Sequence, residues 1–368
     1  MKRFLLLSII LFSTNTYGTV YFLHQDAEPL GNGLSWDTAW DNWGDTMAGA
    51  LSPDDTVVVA GTLGNFVVDC VGTLEQHIVF IDSFRYHNGY DINYPPSTWS
   101  CTIGCSFGTG IALVDTNDYL EFIGFNIYSE SDGNYPCVSM NGLFHSENLV
   151  VWFKQCRFYN ASIDGGSAGA VFRGVFRISV DFSSSLFITH DYFLDVGNMY
   201  QDDSNVIFDN CTFFVAGNSA TDLIFVMVAD DLNERGYSVR NCILYNNYTD
   251  NDTYANSFQI ADDYAGNIID FDYNCIYSPK TSYVSCIDTV WNNTIEEHRI
   301  EVQKIDIDGA THSMFADPIL QDTSGVNAVC TIKSGSPCWG TGVDIGYGGN
   351  IGWWQGRPPG QILSVIIQ

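Results

Sequence analysis

Basic residues are scarce. The chain of 368 residues carries 14 Lys and Arg against 43 Asp and Glu, a formal charge of −29. So acidic a protein is a poor partner for nucleic acid or anionic membranes, and a free anionic polysaccharide is repelled unless cations bridge it. There is no CxxC pair and no Cys/His zinc spacing, which argues against a structural zinc site. No GxSxG elbow supports a serine triad, and no LxxLxL pattern supports leucine-rich repeats. The apolar run Phe4 to Phe12 is too short to span a bilayer.

That run follows Lys2 and Arg3 and precedes small and polar residues. MKRFLLLSIILFSTNTYG therefore predicts a secretory signal peptide over residues 1–18, cut near Gly18; an uncut anchor or a buried first strand is the competing reading. No Cys follows the run, which disfavours a lipoprotein. Without Lys2 and Arg3, 12 basic residues face 43 acidic ones. Export makes the expected location secreted, extracellular or cell-surface, and it permits disulfides. The 11 cysteines are odd in number, so at least one is unpaired within the chain.

What is abundant is apolar and aromatic: 46% hydrophobic and 14% aromatic residues, with 34 Gly. This favours strands and turns and a large core. The pattern within it is a repeat. The segments EFIGFNIYS (121–129), VWFKQCRFYN (151–160), VDFSSSLFI (180–188), VIFDNCTFF (206–214), YSVRNCILYN (237–246) and DFDYNCIYS (270–278) align on Phe125, Cys156, Ser185, Cys211, Cys242 and Cys275. Successive steps are 31, 29, 26, 31 and 33 residues. The residue before each is Gly124, Gln155, Ser184, Asn210, Asn241 or Asn274, and Asn and Gly tolerate the left-handed conformation that bends a strand without a loop. One bend per unit would stack Asn210, Asn241 and Asn274 as a hydrogen-bonding ladder. It would turn Cys156, Cys211, Cys242 and Cys275 inward as a small column. Units of about 30 residues with three short strands and no amphipathic helix predict a β-solenoid.

Three regions make the chain resemble the right-handed parallel β-helix proteins of the pectin-lyase-like group. The opening runs TVYF, GNGLSWDTAW, then AGALSPDDTVVVAGT, with Asp54-Asp55-Thr56 where the group has Gly-Asp-Thr. The rungs are those just aligned, and HSMFADPIL with TIKSGSPCWGTGVDIG resembles the group's closing segment. The resemblance implies one all-β domain over 19–368, a single-stranded right-handed parallel β-helix of about ten rungs. It has an N-terminal cap (19–55) and a closing segment (312–368). A short capping helix is expected in DTAWDNWGDTMAGAL, with Trp40, Trp43, Met47 and Leu51 on one side. The apolar tail Ile362–Gln368 is either a last strand folded back on the body or a donated strand that builds a homo-oligomer or fibre.

Several residue sets can carry chemistry. Asp202-Asp203, Asp230-Asp231 and Asp262-Asp263 recur with the rungs and would form an acidic stripe, either solvated turn residues or a site for calcium. Before it lie His145, Glu147, Arg173 and Arg177. Members of the group that cleave uronic polysaccharides commonly set a Lys or Arg base beside calcium-binding acids. The resemblance therefore makes Arg173, Arg177 and His145 catalytic candidates, with ion pairing to the stripe as the structural alternative. His190-Asp191 is a further acid/base pair or a plain corner. The polygalacturonase constellation of separated Asp motifs with Gly-His-Gly and Arg-x-Lys is absent. Tyr128, Tyr159, Tyr245, Tyr248 and Tyr254, if outward, would stack on sugar rings. Cys330 and Cys338 flank SGSP as a hairpin disulfide would, and Cys211 and Cys242 would stack as buried thiols or pair. Two functions follow: an exported protein that binds extracellular or cell-surface glycan or builds a surface layer, or a calcium-assisted polysaccharide lyase or glycoside hydrolase working in a groove along the helix. No complete catalytic set can be assembled, which favours the first.

Overall fold

A computed structural model describes residues 18–27, 31–43, 49–64, 66–68, 70, 72–88, 101–105, 111–114, 119–129, 137–141, 149–160, 172–175, 178–189, 194–195, 205–215, 226–227, 236–246, 258–260, 268–278, 285–287, 290–292, 294–302, 311–321, 323, 330–342 and 351–352. The chain winds as a parallel β-helix. One face stacks Val20–His24, the first half of Thr56–Leu63, Ile78–Asp82, Leu120–Ile123, Leu149–Lys154, Ile178–Ser183, Asn205–Asp209, Gly236–Arg240 and Ile268–Asp272, each parallel to the next. We call this face one. Face two stacks the second half of Thr56–Leu63, Cys101–Cys105, Asn126–Ser129, Arg157–Asn160, Leu186–Thr189, Thr212–Val215, Ile243–Asn246, Cys275–Tyr277 and Met314–Phe315. A third face begins with Phe66–Val68, Ile111–Val114, Val138–Asn141, Phe172–Val175 and Leu194–Asp195. Val226–Met227, Phe258–Ile260 and Ser285–Ile287 form a further parallel sheet, ended by the antiparallel strand Val290–Asn292. Helices are few among the described residues: α1 (Ser83–Asn88) and α2 (Ile295–Val302), neither long and apolar enough to cross a membrane.

The alternation of side chains across a strand explains the core. Phe80, Phe122, Phe153, Phe182 and Phe208 point inward from face one and stack with centroids 5.0–5.2 Å apart. Phe158, Phe187 and Phe213 do the same from face two at 4.8 and 4.7 Å. The two stacks meet edge to face, as at Phe182–Phe187, 5.2 Å. Burying each such ring stabilises by roughly 1.5–3 kcal/mol.

Between faces one and two the strand bends once per rung without a loop. Gly124, Gln155, Ser184, Asn210 and Asn241 all have positive φ, between 47° and 79°. Gly is required at the first of these because a Cβ there would lie 2.5 Å from Cγ of Arg85, which α1 lays across the corner. Asn210 Nδ2 donates to Ser184 Oγ at 3.1 Å, but the expected ladder from Asn210 through Asn241 to Asn274 is not formed: Asn210 Oδ1 accepts no hydrogen bond among the described residues.

The inward column is polar as well as soft. The thiols of Cys156, Cys211 and Cys242 donate to the carbonyl two residues back (3.4, 3.4 and 3.1 Å) and to a carbonyl of the preceding rung (3.6, 3.3 and 3.5 Å). Ser185 Oγ donates to its own Ser183 carbonyl and accepts from Cys156 N. The column thus satisfies backbone groups that the bend would strand in the core.

The last aligned rung departs from expectation by one residue. Arg240 pairs with Asp272 and Ile243 with Cys275, so the bend is Tyr273 (φ 57°), not Asn274. Asn274 takes the column position, where its Oδ1 accepts from Cys242 N (2.9 Å) and its Nδ2 donates to the Val239 carbonyl (2.8 Å). Cys275 faces outward. An amide meets the column's hydrogen-bonding need better than a thiol, and Tyr273 gains a stacked partner in His312, 4.4 Å and 4° away.

At the N-terminal end, Trp40 pairs with Leu23 and stacks on Tyr21 at 4.8 Å. Trp43 closes on Phe66 and Phe80 at 4.9 and 5.3 Å. A 3-10 turn, Trp36–Thr38, precedes them. Leu51 packs on the core, and residues 44–48, with Met47, lie outside the described residues. At the other end the chain leaves face two after Met314–Phe315, pairs Leu320–Gln321 antiparallel with Thr331–Ile332, and lies back over the outside of face two. We call this returning segment the strap. The tail 362–368 is outside the described residues.

Candidate functional site

The outside of face one is a ruled surface. Counting back from the column, positions two and four residues earlier point outward on every rung. The fourth-back row is Glu121, Trp152, Asp181, Ile207, Ser238 and Asp270; the second-back row is Ile123, Lys154, Ser183, Asp209, Arg240 and Asp272. Six rungs extend over about 24 Å at the spacing of paired strands.

An aromatic platform stands at the N-terminal end of these rows. Trp152 stacks on His77 with centroids 4.3 Å apart and planes 15° apart, and Tyr119 flanks both at 6.4 Å. His77 is held from the preceding turn, where its Nε2 lies 3.1 Å from the Leu74 carbonyl. Beside the platform Lys154 Nζ pairs with Glu121 Oε1 at 2.7 Å, and His77 Nδ1 lies 3.7 Å from Glu121 Oε2.

Two carboxylates occupy the middle. Asp181 and Asp209 are diagonal neighbours on adjacent strands, a relation that sets positions roughly 7–8 Å apart. Burial pushes the Asp181 carboxyl up to about 6; Asp209 and Glu121 push the same way and Lys154 opposes them. Burial also raises Asp209, against the attraction of Arg240. One oxygen of each, Oδ1, is shielded from solvent and makes no hydrogen bond among the described residues. Two acids near each other with raised pKa are the kind of pair that acid/base chemistry uses. Beyond them Arg240 Nε lies 3.1 Å from Asp270 Oδ2, and His312 Nδ1 lies 2.7 Å from Asp272 Oδ2.

Of the charged residues singled out from sequence, only Arg173 is among the described residues. Arg173 lies on the third-face strand Phe172–Val175, paired with Ser139 and Asp195; only its backbone is described. His145, Arg177, the pair His190-Asp191, and Asp202, Asp203, Asp230, Asp231, Asp262 and Asp263 lie outside the described residues. Among the described residues no three His, Cys, Asp or Glu side chains are grouped to hold a metal ion.

Tyr128, Tyr159 and Tyr245 are on face two, pointing outward as expected, and the strap packs against them; Tyr248 and Tyr254 lie outside the described residues. Tyr159 is 7% exposed and packs with Leu186, Ile188, Phe214 and Cys330, with Tyr128 and Tyr245 at the margin of the same cluster. Burial raises the Tyr245 hydroxyl to about 12. These rings seat the chain's own strap and are not an open sugar platform. The expected hairpin disulfide is also not formed: Cys330 packs in that cluster, whereas Cys338 lies in a second one with Ile243, Cys275, Ile332 and Ile351. Burial lifts the Cys137 and Cys156 thiols to about 12, which removes them as nucleophiles.

Sequence reasoning missed Glu121, Trp152, Lys154, Asp181 and Asp209. The signal was present: the column positions fix which strand residues face outward.

No family model matches this chain, and no curated protein matches it. Among solved structures, one titled "Crystal structure of pectate lyase Pel9A" aligns with 93% of this chain and 97% of its own, at 11% identity and a TM-score of 0.42. A likeness this distant assigns no chemistry.

Proposed function

We propose that the protein is exported and binds extracellular or cell-surface polysaccharide along the outside of face one. The observation that carries this reading is the Trp152–His77–Tyr119 platform at the head of a row of alternating charges. Aromatic faces stack on pyranose rings, and Glu121, Lys154, Asp181 and Asp209 offer acceptors and donors to hydroxyls along a straight track. Rungs recur at close to the length of one sugar unit, so a chain laid along the helix axis meets the same kind of contact repeatedly. The charge of −29 selects a neutral or cationic glycan over a uronate. Calcium belongs to this proposal only at Asp202-Asp203, Asp230-Asp231 and Asp262-Asp263, where it would bridge an anionic chain.

The test is affinity electrophoresis of the whole protein through gels holding neutral, cationic or uronic polysaccharides, with and without calcium. Retardation by a neutral or cationic glycan, abolished in Trp152→Ala, is expected. No retardation by any of them, or retardation unchanged in Trp152→Ala, overturns the reading. A hydrolase is the second reading, favoured by the raised Asp181 beside Asp209. It predicts new reducing ends that disappear in Asp181→Asn. Unsaturated uronates, read by absorbance, would instead point to a lyase.

A further inference from the structure

Cys275 and Cys338 come from different parts of the fold. Cys275 begins the face-two strand Cys275–Tyr277, displaced outward by the one-residue shift at Tyr273. Cys338 sits in the turn after Thr331–Ile332 in the strap. Both are buried free thiols packed in one cluster with Ile243, Ile332 and Ile351, and a hydrogen bond with Cys338 raises the Cys275 pKa. The strap is fixed on both sides of the pair: Ile351 N donates to the Cys338 carbonyl (3.1 Å), and Cys275 Sγ donates to the Ala316 carbonyl (3.2 Å).

We propose that Cys275 and Cys338 form a disulfide that staples the strap to the outside of face two. The reaction is exchange with a disulfide oxidant, small-molecule or protein, of the compartment the chain is exported to. The Cys275 thiolate attacks the oxidant disulfide, one thiol leaves with a proton, and the Cys338 thiolate displaces the second. Two protein thiols are oxidised and one oxidant disulfide is reduced to two thiols. Both sulfurs are shielded once the strap is seated, so the exchange accompanies docking.

The other neighbouring pair should not react. Cys211 and Cys242 lie in register on adjacent parallel rungs. The strands hold such positions about 4.8 Å apart, wider than the ~3.8 Å between Cβ atoms that a disulfide favours. Cys338 is in an irregular turn and is under no such constraint.

The test is peptide mapping of the full chain, secreted or refolded with oxidised glutathione, after denaturation and alkylation of thiols. A cross-linked peptide holding Cys275 and Cys338, lighter by two hydrogen atoms than its parts and lost on reduction, is expected, with Cys211 and Cys242 alkylated. Recovery of Cys275 and Cys338 both alkylated overturns the proposal, as does a bridge from Cys338 to Cys330. Cys338→Ser should also make proteolysis of the strap insensitive to reductant, whereas the parent chain is cleaved there faster once reduced. Equal sensitivity in both counts against the staple.

Discussion

Phe214 and Ile207 lie on the same rung, and both point away from the core. Phe214 is 1% exposed beneath the strap; Ile207 is half-buried on face one between Asp181 and Ser238. The backbone under them is the same ladder at the same spacing. The outside of face two has become a second interior because the chain returns across it; Tyr159, Leu186, Ile188 and Phe214 are buried there together with Arg157, whose guanidinium donates to Asn126 Oδ1 and lies over the Tyr159 ring. On the outside of face one only the first rungs are covered, where α1 lies against Val58, Ile81 and Ile123; the later rungs carry charge and one aromatic platform. In a solenoid the inside is set by rung geometry, but which outside remains a surface is decided by the segments laid over it, here α1 on the first rungs of face one and the strap on face two.

The largest effect should come from the core both faces share. Phe182 touches Phe153, Phe158, Phe187 and Phe208. Phe182→Ala should cost about 3–5 kcal/mol in chemical denaturation. A cost below about 1 kcal/mol would mean that the two stacks do not form the interior described. Next comes the contrast on a single rung. Phe214→Ala should destabilise by roughly 3 kcal/mol and Ile207→Ala by under about 1.5 kcal/mol, because only the first leaves a cavity. Equal costs would erase the distinction between the faces.

How much of this could be read in advance follows from the same contrast. The rung positions, the bends at Asn210 and Asn241 and the inward thiols were legible because each repeats locally and has one physical cause. At the last rung the pattern misled, since YNC looks like another RNC although Tyr273 bends and Asn274 fills the column. The tyrosines of face two were correctly read as outward and wrongly as open. Their cover comes from residues more than seventy positions further along, which leave no periodic trace. The face-one row was legible in principle, but a charge on a solvated strand looks like any other until its neighbours on adjacent rungs are known.

Face one should respond to pH between about 4 and 6 through Asp181. The folded-state pKa of Asp181, about 6, lies above the ordinary 3.8. Between those values the folded protein binds more protons than the unfolded chain. The Asp181 contribution to stability is therefore most favourable below about pH 4, declines as pH rises, and reaches its full penalty above about 6. The shift corresponds to a penalty of up to about 3 kcal/mol. Asp181→Asn should remove it, raising stability at pH 7–8 by on the order of 1–3 kcal/mol and flattening the slope between pH 4 and 6. The check is a set of denaturant melts across that window. A variant less stable at pH 8 than its parent would show that the charged carboxylate is satisfied by a partner.

The smallest effect lies at the corner where face one becomes face two. Ser184 holds a φ of 47° and accepts a hydrogen bond from the buried Asn210 amide. Ser184→Ala keeps the left-handed strain and strands the Asn210 donor, a loss of about 1–2 kcal/mol. Ser184→Gly strands the same donor but relieves strain that costs an L-residue roughly 1–2 kcal/mol, less the greater freedom Gly gives the unfolded chain. The Gly variant should therefore exceed the Ala variant in stability by somewhat under about 1 kcal/mol, measured as the shift in denaturation midpoint at constant slope. If Ala proves as stable as Gly, the corner is held by the stacked column alone and the left-handed bend is a consequence of that stacking. If Gly wins, the bend is an independent demand on the sequence, and the choice among Gly, Asn and Ser at each corner is what allows one strand to serve two faces.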